Sequence, residues 1–404
     1  MKGITKSMKY KRIFVIVCDS LGIGAADDAE KFGDAGTNTY VHISEKMEGG
    51  LHIPTLNSLG LRDLGPVVGT TKVEHPHSIV TTLHERSNGK DTMTGHWEMM
   101  GILTSKPFKT FTDTGFPKEL IDELEEKWGR KIIGNCAASG TQILVDMGEE
   151  QCRDGSLIVY TSSDSVLQVA AHEEVVPLEE LYRDCSIARE ICNRPEYRLG
   201  RIIARPYLGT DKTNFKRTPN RHDYALSPTG RTAMDDLKDN GFEVSCVGKI
   251  ADIFNGCGVT KTVKTVSNSD GMRKTIDYVK NDDFTGLCFI NLVEFDSEYG
   301  HRRNPIGYGK AIEVFDGELK EMMDCMKDDD LVIVTADHGN DPTYKGTDHT
   351  RERVPFICYS KSINNGGYIK ERTSFGDIGA TVLANFGVKP SENEIGEVVE
   401  ELLK

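Results

Sequence analysis

Aspartate and histidine residues gather in two short segments of the sequence. In NLVEFDSEYGH, Asp296 follows an apolar stretch and His301 comes five residues later. In LVIVTADHGNDPTYKGTDHTRE, Asp337 and His338 directly follow another apolar stretch, and His349 comes eleven residues after His338. Carboxylates and imidazoles without thiolates are donors that suit Mn²⁺, Zn²⁺ and iron. The two segments therefore predict a metal site.

A further carboxylate follows an apolar stretch near the N-terminus. The segment FVIVCDSLGIGAADD places Asp19 there, but Asp27 stands where a G-x-G-x-x-G dinucleotide motif needs its third glycine. A carboxylate at the carboxyl end of a parallel strand points into the crevice where open α/β sheets bind ligands. Asp19 is thus a candidate metal ligand, and an aspartate that only caps its strand is the alternative. Together with Asp296 and Asp337 it makes two cations electrostatically feasible.

Two threonines follow a glycine-containing turn in the segment SNGKDTMTGHWE. It is not a Walker A loop, because Asp91 stands where that motif needs serine or threonine directly after lysine. The turn leads into a predicted helix start, where free amides and the helix dipole favour an anion. Thr92 or Thr94 is therefore either the N-cap of this helix or a nucleophile stabilised by metal and amides. Spacing does not choose between the two threonines.

Short apolar, β-branched stretches alternate with helical patterns along the chain, which is typical of βα units around a mostly parallel sheet. Strands are predicted at Ile13–Cys18, Leu157–Thr161, Glu243–Val247, Leu287–Leu292, Leu331–Thr335 and Val354–Tyr359. Helices are predicted at Lys118–Lys127, Leu178–Asn193, Arg231–Asp239, Gly271–Lys280, Gly309–Met326 and Asp377–Phe386. Neighbouring parallel strands would deliver the acidic and histidine residues to one edge of the sheet.

The middle of the chain differs in sequence pattern from its two ends. Residues 1–107 and 226–404 hold nearly every Asp/His motif, whereas residues 108–225 contain GTQIL, SLIVYTSSDSV and RIIARPYLG. We interpret the ends as a discontinuous α/β core and the middle as an inserted α+β cap domain. Arg217 near the join and Lys249 after a predicted strand could bind phosphate, although each alone resembles an ordinary surface residue.

Charge and cysteine content limit the classes of partner. The 404 residues include 49 Lys and Arg against 63 Asp and Glu, a net charge of −14, which disfavours nucleic acid and anionic membranes. The ten cysteines form no C-x-x-C pair, which favours reduced thiols and a cytoplasmic location. No stretch approaches the roughly 18 apolar residues of a membrane span, and the first apolar stretch is too short for a signal peptide. No protein partner is indicated.

The motifs, taken in order, resemble the phosphopentomutases, a family of the alkaline phosphatase superfamily. The similarity extends from about Lys11 to Phe386 and rests on KRIFVIVCDSLGIG, GKDTMTGHWE, YTSSDSVLQVAAHEE, RTPNRHDYAL, DGMRK, EFDSEYGHRRNPIGYG and TADHGNDPTYKGTDHTRE. The resemblance implies an alkaline-phosphatase-like core, with a mostly parallel sheet, and an inserted cap.

The resemblance also implies a role for individual residues. It gives two sets of Mn²⁺ ligands: Asp19, Asp337 and His338 for one ion, and Asp296, His301 and His349 for the other. It makes Thr92, rather than Thr94, the phosphorylated nucleophile. It places four residues against the sugar phosphate: Ser162, Asp164, Arg217 and Lys249.

The activity so implied interconverts ribose 1-phosphate and ribose 5-phosphate, and the 2-deoxyribose equivalents, in nucleoside catabolism. Phospho-Thr92 would donate its phosphate to give a 1,5-bisphosphate, the other phosphate would return, and glucose 1,6-bisphosphate or a similar sugar bisphosphate would prime the enzyme. A cap that excludes water would suppress hydrolysis of the phosphoenzyme. The alternatives are a metal-dependent phosphatase or phosphodiesterase of the same superfamily, a cofactor-independent phosphoglycerate mutase, which uses serine, and a non-catalytic metal-binding protein.

Overall fold

The computed structural model describes residues 8–74, 76–162 and 164–404. These residues form two compact units. The first comprises the described residues up to Pro107 together with Pro228–Lys404, and the second comprises Phe108–Ser227. The chain therefore leaves the first unit once, after residue 107, and returns to it once, after residue 227. The sequence analysis expected these boundaries after residues 107 and 225.

The strands and helices alternate along most of the chain. The strands are β1 (Arg12–Cys18), β2 (Ile79–Leu83), β3 (Ile132–Ala137), β4 (Leu157–Thr161), β5 (Val166–His172), β6 (Arg201–Leu208), β7 (Lys216–Arg217), β8 (His222–Ala225), β9 (Glu243–Val247), β10 (Lys261–Val263), β11 (Gly286–Leu292), β12 (Asp330–Thr335), β13 (Val354–Tyr359) and β14 (Gly367–Tyr368). The α-helices are α1 (Thr39–Lys46), α2 (Pro54–Ser58), α3 (Thr92–Met99), α4 (Lys118–Trp128), α5 (Gln142–Asp154), α6 (Leu178–Ile191), α7 (Ala233–Asp239), α8 (Ile250–Ile253), α9 (Asn268–Asn281), α10 (Pro305–Cys325), α11 (Asp377–Asn385) and α12 (Glu400–Leu403). Short helical turns of other types cover Ala29–Phe32, Leu61–Leu64 and Phe295–Gly300.

The first unit is built on one mostly parallel sheet. Within the described residues it has eight strands in the order β10-β9-β11-β1-β12-β13-β2-β14. Strand β1 pairs in parallel with β11 and β12, whereas β13 runs antiparallel to β12 and β2. Every residue of the parallel strands β1, β11 and β12 is buried. Helices cover both faces of such sheets, which explains the continuous apolar sequences of these strands. The expected α/β core with a mostly parallel sheet is confirmed.

The register of the central strands brings their carboxyl ends level. Val17 of β1 lies opposite Asn291 of β11 on one side and Thr335 of β12 on the other. Residues that directly follow the three strands therefore meet at one edge of the sheet. This is the edge that the sequence analysis expected to carry the acidic and histidine residues.

The second unit has its own mixed sheet of six strands within the described residues, in the order β3-β4-β5-β6-β7 with β8 paired to β6. One face packs on α5 through residues that include Ile143 and Tyr207, and the other face packs on α4 and α6 through residues that include Leu120 and Leu181. Each face of the sheet thus has its own apolar core.

The predicted elements largely match the structure. All six predicted strands occur, each within one residue of its predicted bounds, because they are short apolar stretches between turn signals. Helix α10 begins four residues earlier than predicted. Asn304 caps it, since its Oδ1 accepts a hydrogen bond from Gly307 N, and Pro305 occupies its first position, where a missing N–H costs nothing. Among the residues described, none of the helices combines the length and apolar character needed to span a membrane.

Candidate active site

Three carboxylates and two imidazoles of the first unit follow the ends of β1, β11 and β12, which lie level with one another. Asp19 comes directly after β1, and Asp337 and His338 come shortly after β12. Asp296 lies in the helical turn Phe295–Gly300 after β11, and His301 ends that turn. The sheet therefore delivers residues from distant parts of the sequence to one place.

Asp19, Asp337 and His338 form the first group of potential metal ligands. Their ligand atoms lie within 4.8 Å of one another, and the three residues are buried. His338 Nε2 is 3.6 Å from Asp19 Oδ1 and 3.4 Å from Asp337 Oδ2. These two oxygens are buried and have no hydrogen-bond partner among the described residues. One oxygen of each carboxylate thus remains for a cation.

The second group of potential ligands lies beside the first. Asp296 Oδ2 is 3.1 Å from His301 Nε2 and 3.5 Å from His349 Nε2. His301 Nδ1 is 2.7 Å from the carbonyl oxygen of Thr347, so a proton on Nδ1 leaves the Nε2 lone pair facing the carboxylate. The rings of His338 and His349 stack with centroids 4.0 Å apart, which joins the two groups.

The structure brings all six predicted metal ligands into one continuous cluster. It also groups Asp296 with His338 and His349, whose ligand atoms lie within 4.8 Å of one another. His338 is therefore within reach of both groups, whereas the sequence analysis expected it to serve one ion only.

The electrostatics of the cluster fit divalent cations. Burial raises the pKa of Asp19 well above its usual range, and the charges of Asp337 and Asp296 add to the effect. Burial acts on Asp296 in the same direction, but His349 and His301 hold the pKa of Asp296 well below its usual range. Burial also lowers the pKa of His338, which favours the neutral form that binds metal. Three buried carboxylates with imidazole lone pairs are a donor set that two divalent cations would satisfy.

The two threonines of the segment after the glycine-containing turn have different surroundings. Asp91 is the N-cap of α3, since its Oδ1 accepts a hydrogen bond from Thr94 N at 3.0 Å. The Thr94 hydroxyl donates to Asp91 Oδ2 at 2.6 Å and is occupied by this cap. Thr92 Oγ1 instead lies 3.2 Å from His338 Nε2. Neither threonine is the N-cap, and only the Thr92 hydroxyl contacts the metal-ligand cluster.

The four residues predicted to contact the sugar phosphate belong to both units. In the second unit, Ser162 is half-buried and its carbonyl oxygen accepts a hydrogen bond from Thr112 at 2.7 Å, and Asp164 lies 3.6 Å from Arg201. Arg217 is an exposed residue of β7. In the first unit, exposed Lys249 precedes α8. Their contact with substrate remains a prediction.

Sequence reasoning missed four residues that contact the predicted ligands. Asn291 donates to Asp19 Oδ2 at 2.8 Å, Asn340 donates to Asp296 Oδ1 at 2.7 Å, and Ser20 N donates to Asp337 Oδ1 at 3.0 Å. His96 Nδ1 lies 3.1 Å from Asp337 Oδ2. The sequence carries a signal for two of the four: Asn291 is a polar residue inside an apolar strand, and His96 lies one helical turn after Thr92.

Comparisons with known proteins agree with this geometry. The family model described as the Metalloenzyme superfamily matches residues 11–390. A curated phosphopentomutase from Agathobacter rectalis is 58% identical over 395 residues, which cover 98% of this chain and 100% of that protein.

Two of the solved structures that are similar to this chain cover nearly all of it at low identity. The PH0037 protein from Pyrococcus horikoshii has a TM-score of 0.50 at 12% identity and covers 95% of this chain and 99% of its own. A Leishmania mexicana phosphoglycerate mutase has a TM-score of 0.49 at 13% identity and covers 98% of each chain. At this identity, the likeness to the Pyrococcus protein concerns the fold alone.

Proposed function

Since this chain belongs to the Metalloenzyme superfamily and, within it, to the phosphopentomutases, we propose that Thr92 carries the phosphate during its reaction. A phosphopentomutase is an isomerase that interconverts ribose 1-phosphate and ribose 5-phosphate, and the 2-deoxyribose equivalents. In the proposed route, phospho-Thr92 gives its phosphoryl group to the free hydroxyl of the substrate. The resulting 1,5-bisphosphate then returns its other phosphoryl group to Thr92. Each transfer breaks one P–O bond and forms another, so no water enters the balance.

The observation that carries this proposal is the position of the Thr92 hydroxyl, 3.2 Å from His338 Nε2 at the edge of the acidic cluster. Thr92 begins α3, whose first backbone N–H groups have no partner within the helix and favour a phosphate. The other threonine of the segment is held by Asp91. Thr92 therefore combines a reactive oxygen with an anion-binding helix end.

We propose that six residues hold two divalent cations: Asp19, Asp337 and His338 for one, and Asp296, His301 and His349 for the other. Two buried carboxylate oxygens, Asp19 Oδ1 and Asp337 Oδ2, support this proposal, because neither has a hydrogen-bond partner in the described part of the chain. Mn²⁺ suits carboxylate and imidazole donors together. When bound, such ions polarise phosphoryl oxygens and lower the pKa of a hydroxyl.

The remaining parts of the proposal concern substrate and priming. Ser162, Asp164, Arg217 and Lys249 would bind the sugar phosphate, because arginine and lysine suit phosphate and short polar groups suit sugar hydroxyls. Glucose 1,6-bisphosphate or a similar bisphosphate would phosphorylate Thr92 before the first turnover. We place the enzyme in the cytoplasm, in nucleoside catabolism, with small sugar phosphates as partners and with no nucleic acid, membrane or protein partner.

The alternative within the same superfamily is a metal-dependent phosphatase or phosphodiesterase. It would use the same metal ligands but pass the phosphoryl group to water. The 58% identity to a phosphopentomutase over nearly the whole chain favours the mutase.

One incubation separates the two reactions. The protein, Mn²⁺, ribose 1-phosphate and a trace of glucose 1,6-bisphosphate are combined, and ribose 5-phosphate and inorganic phosphate are measured over time. We expect ribose 5-phosphate to form with little inorganic phosphate. Inorganic phosphate that accumulates without ribose 5-phosphate would refute the mutase and support the phosphatase.

A further inference from the structure

Two polar residues outside the proposed ligand set connect a metal ligand to the backbone of the proposed nucleophile. Asn291 of β11 is 2% exposed and His96 of α3 is 0% exposed. Asn291 Nδ2 lies 2.8 Å from Asp19 Oδ2 and 3.3 Å from His96 Nε2. His96 Nδ1 lies 2.8 Å from the carbonyl oxygen of Thr92. Burying two such side chains is costly unless their hydrogen bonds are made, so the contacts themselves require explanation.

The chemistry of the partners fixes the orientation of both side chains. A carboxylate oxygen can only accept hydrogen bonds, so the amide of Asn291 must present its NH₂ group to Asp19. The second amide proton then points to His96 Nε2, which must be the acceptor. The proton of the imidazole therefore sits on Nδ1 and is donated to the carbonyl oxygen of Thr92. The result is a chain of hydrogen bonds in which donation runs outward from Asn291, to Asp19 on one side and through His96 to the Thr92 carbonyl oxygen on the other.

The same histidine lies against the second carboxylate of the first ligand group. His96 Nδ1 is 3.1 Å from Asp337 Oδ2, yet that oxygen has no hydrogen-bond partner among the described residues, because the Nδ1 proton points to Thr92. Gly95 allows this close packing, since a Cβ there would stand 2.2 Å from the backbone oxygen of Asp337. His96 thus touches Thr92 and Asp337 while leaving Asp337 Oδ2 available to a cation.

We propose that Asn291 and His96 are positioning residues that couple the metal-ligand cluster to the nucleophile. Asn291 holds Asp19 by Oδ2, so that Oδ1 faces His338. The hydrogen bond from His96 Nδ1 to the Thr92 carbonyl oxygen holds the first turn of α3 in place, and therefore also the Thr92 hydroxyl. Neither residue contacts the reacting atoms. The inference rests on the ligand set and nucleophile proposed above and adds two residues to which no role was given.

The two halves of the chain of hydrogen bonds have separable effects. Asn291→Leu keeps the volume but removes both donors, and we expect it to weaken Mn²⁺ binding by about 10- to 100-fold, as for other residues that orient a metal ligand. His96→Gln keeps an acceptor for Asn291 but loses the Nδ1 donor, and we expect it to lower kcat with Mn²⁺ affinity near that of the unmodified protein. His96→Asn keeps the donor and loses the acceptor, and we expect the opposite pattern.

The experiment measures Mn²⁺ binding to metal-stripped protein by calorimetry, together with kcat, KM and the melting temperature of the metal-free form. The matched control is Asn385→Leu, because Asn385 is also buried and its amide bonds to the backbone of Tyr10 at the opposite end of β1 from Asp19. We expect this control to lower the melting temperature and leave Mn²⁺ affinity unchanged. An Asn291→Leu variant that folds and binds Mn²⁺ within about twofold of the unmodified protein overturns the proposal.

A second variant distinguishes failure of this inference from failure of the ligand set. Asp19→Asn should weaken Mn²⁺ binding more than Asn291→Leu does. If Asp19→Asn binds Mn²⁺ normally, the ligand set itself is wrong. If Asp19→Asn loses Mn²⁺ and Asn291→Leu does not, the ligand set stands and the positioning role is wrong.

Discussion

The hydroxyl oxygen of Thr92 lies 3.2 Å from Nε2 of His338, although 246 positions separate the two residues in the sequence. His338 Nδ1 lies 3.0 Å from the carbonyl oxygen of Gly339, so the Nε2 lone pair faces Thr92 and the carboxylates. The oxygen of the proposed nucleophile and a nitrogen of a proposed metal ligand thus lie in contact at the edge of the sheet.

This contact predicts that the Thr92 hydroxyl is indispensable. Thr92→Val keeps the shape of the side chain and should reduce mutase activity by more than about 10³-fold, as expected for loss of a nucleophile. Glucose 1,6-bisphosphate should no longer leave phosphate on the protein, which mass spectrometry detects. Thr94→Val is the matched control and should remain phosphorylated at Thr92, with about 1 kcal/mol lower stability because the hydrogen bond from the Thr94 hydroxyl to Asp91 is lost while the backbone cap remains. Phosphate found on the Thr92→Val protein would identify another nucleophile.

Removal of metal should destabilise the protein. Asp19, Asp296 and Asp337 are buried close together, and without cations their charges repel. We expect Mn²⁺ at about 100 times its Kd to add about 2.7 kcal/mol to the free energy of unfolding for one site. Asp296→Asn should lower the number of ions bound from two to one by elemental analysis. A melting temperature that does not respond to chelator would contradict the proposed metal centre.

Gly95 is predicted to tolerate no side chain. Gly95→Ala forces a Cβ against the Asp337 backbone, and the resulting shift of α3 should cost about 1–3 kcal/mol and move the Thr92 hydroxyl. We expect a lower melting temperature together with a lower kcat. Gly317→Ala, in the middle of α10, is the control, because a Cβ there meets nothing within 4 Å. Its free energy of unfolding should rise by about 0.5–1 kcal/mol, since alanine favours a helix interior over glycine. Full activity in Gly95→Ala would show that α3 has room to move.

A buried ion pair at the other end of β1 predicts a large effect on stability. Arg12 contacts Asp330 through two hydrogen bonds of 2.7 Å, and the side chains are 1% and 0% exposed. Asp330→Asn leaves the guanidinium buried without its counter-charge, so the free energy of unfolding in urea should fall by about 3–5 kcal/mol. Asp122→Asn breaks the exposed pair with Lys118 and should cost less than about 1 kcal/mol. Equal losses in the two variants would refute the role of burial.

Glu394 should make stability depend on pH. Burial and the neighbouring Asp236 raise the pKa of Glu394 to about 8. The unfolded chain has a pKa of about 4.3 for glutamate, so the folded state holds an extra proton between these values. Stability from this group is therefore present below about pH 4 and is lost as pH rises to about 8. Glu394→Gln should lose less stability between pH 5 and pH 8 than the unmodified protein. Exposed Glu392 provides the control, since Glu392→Gln should follow the unmodified curve.

The sequence by itself determined six of the fourteen strands of the described residues, the class of fold and the candidate metal ligands. Buried parallel strands read as unbroken apolar stretches, so β1, β11 and β12 could be predicted within one residue. Each predicted metal ligand follows such a strand or lies in a loop close to it, so residue type and position sufficed to select candidates such as Asp19 and Asp337. These are local properties of the chain.

The tertiary structure alone decided which side chains meet. The register that sets Val17 beside Asn291 and Thr335 depends on pairing between segments more than 250 positions apart, which no local pattern encodes. The same packing turned Thr94 toward Asp91 and Thr92 toward the cluster, a choice that spacing left open. Hydrogen bonds between distant residues act only once the chain has folded, and for that reason the sequence could nominate the reactive groups but not their partners.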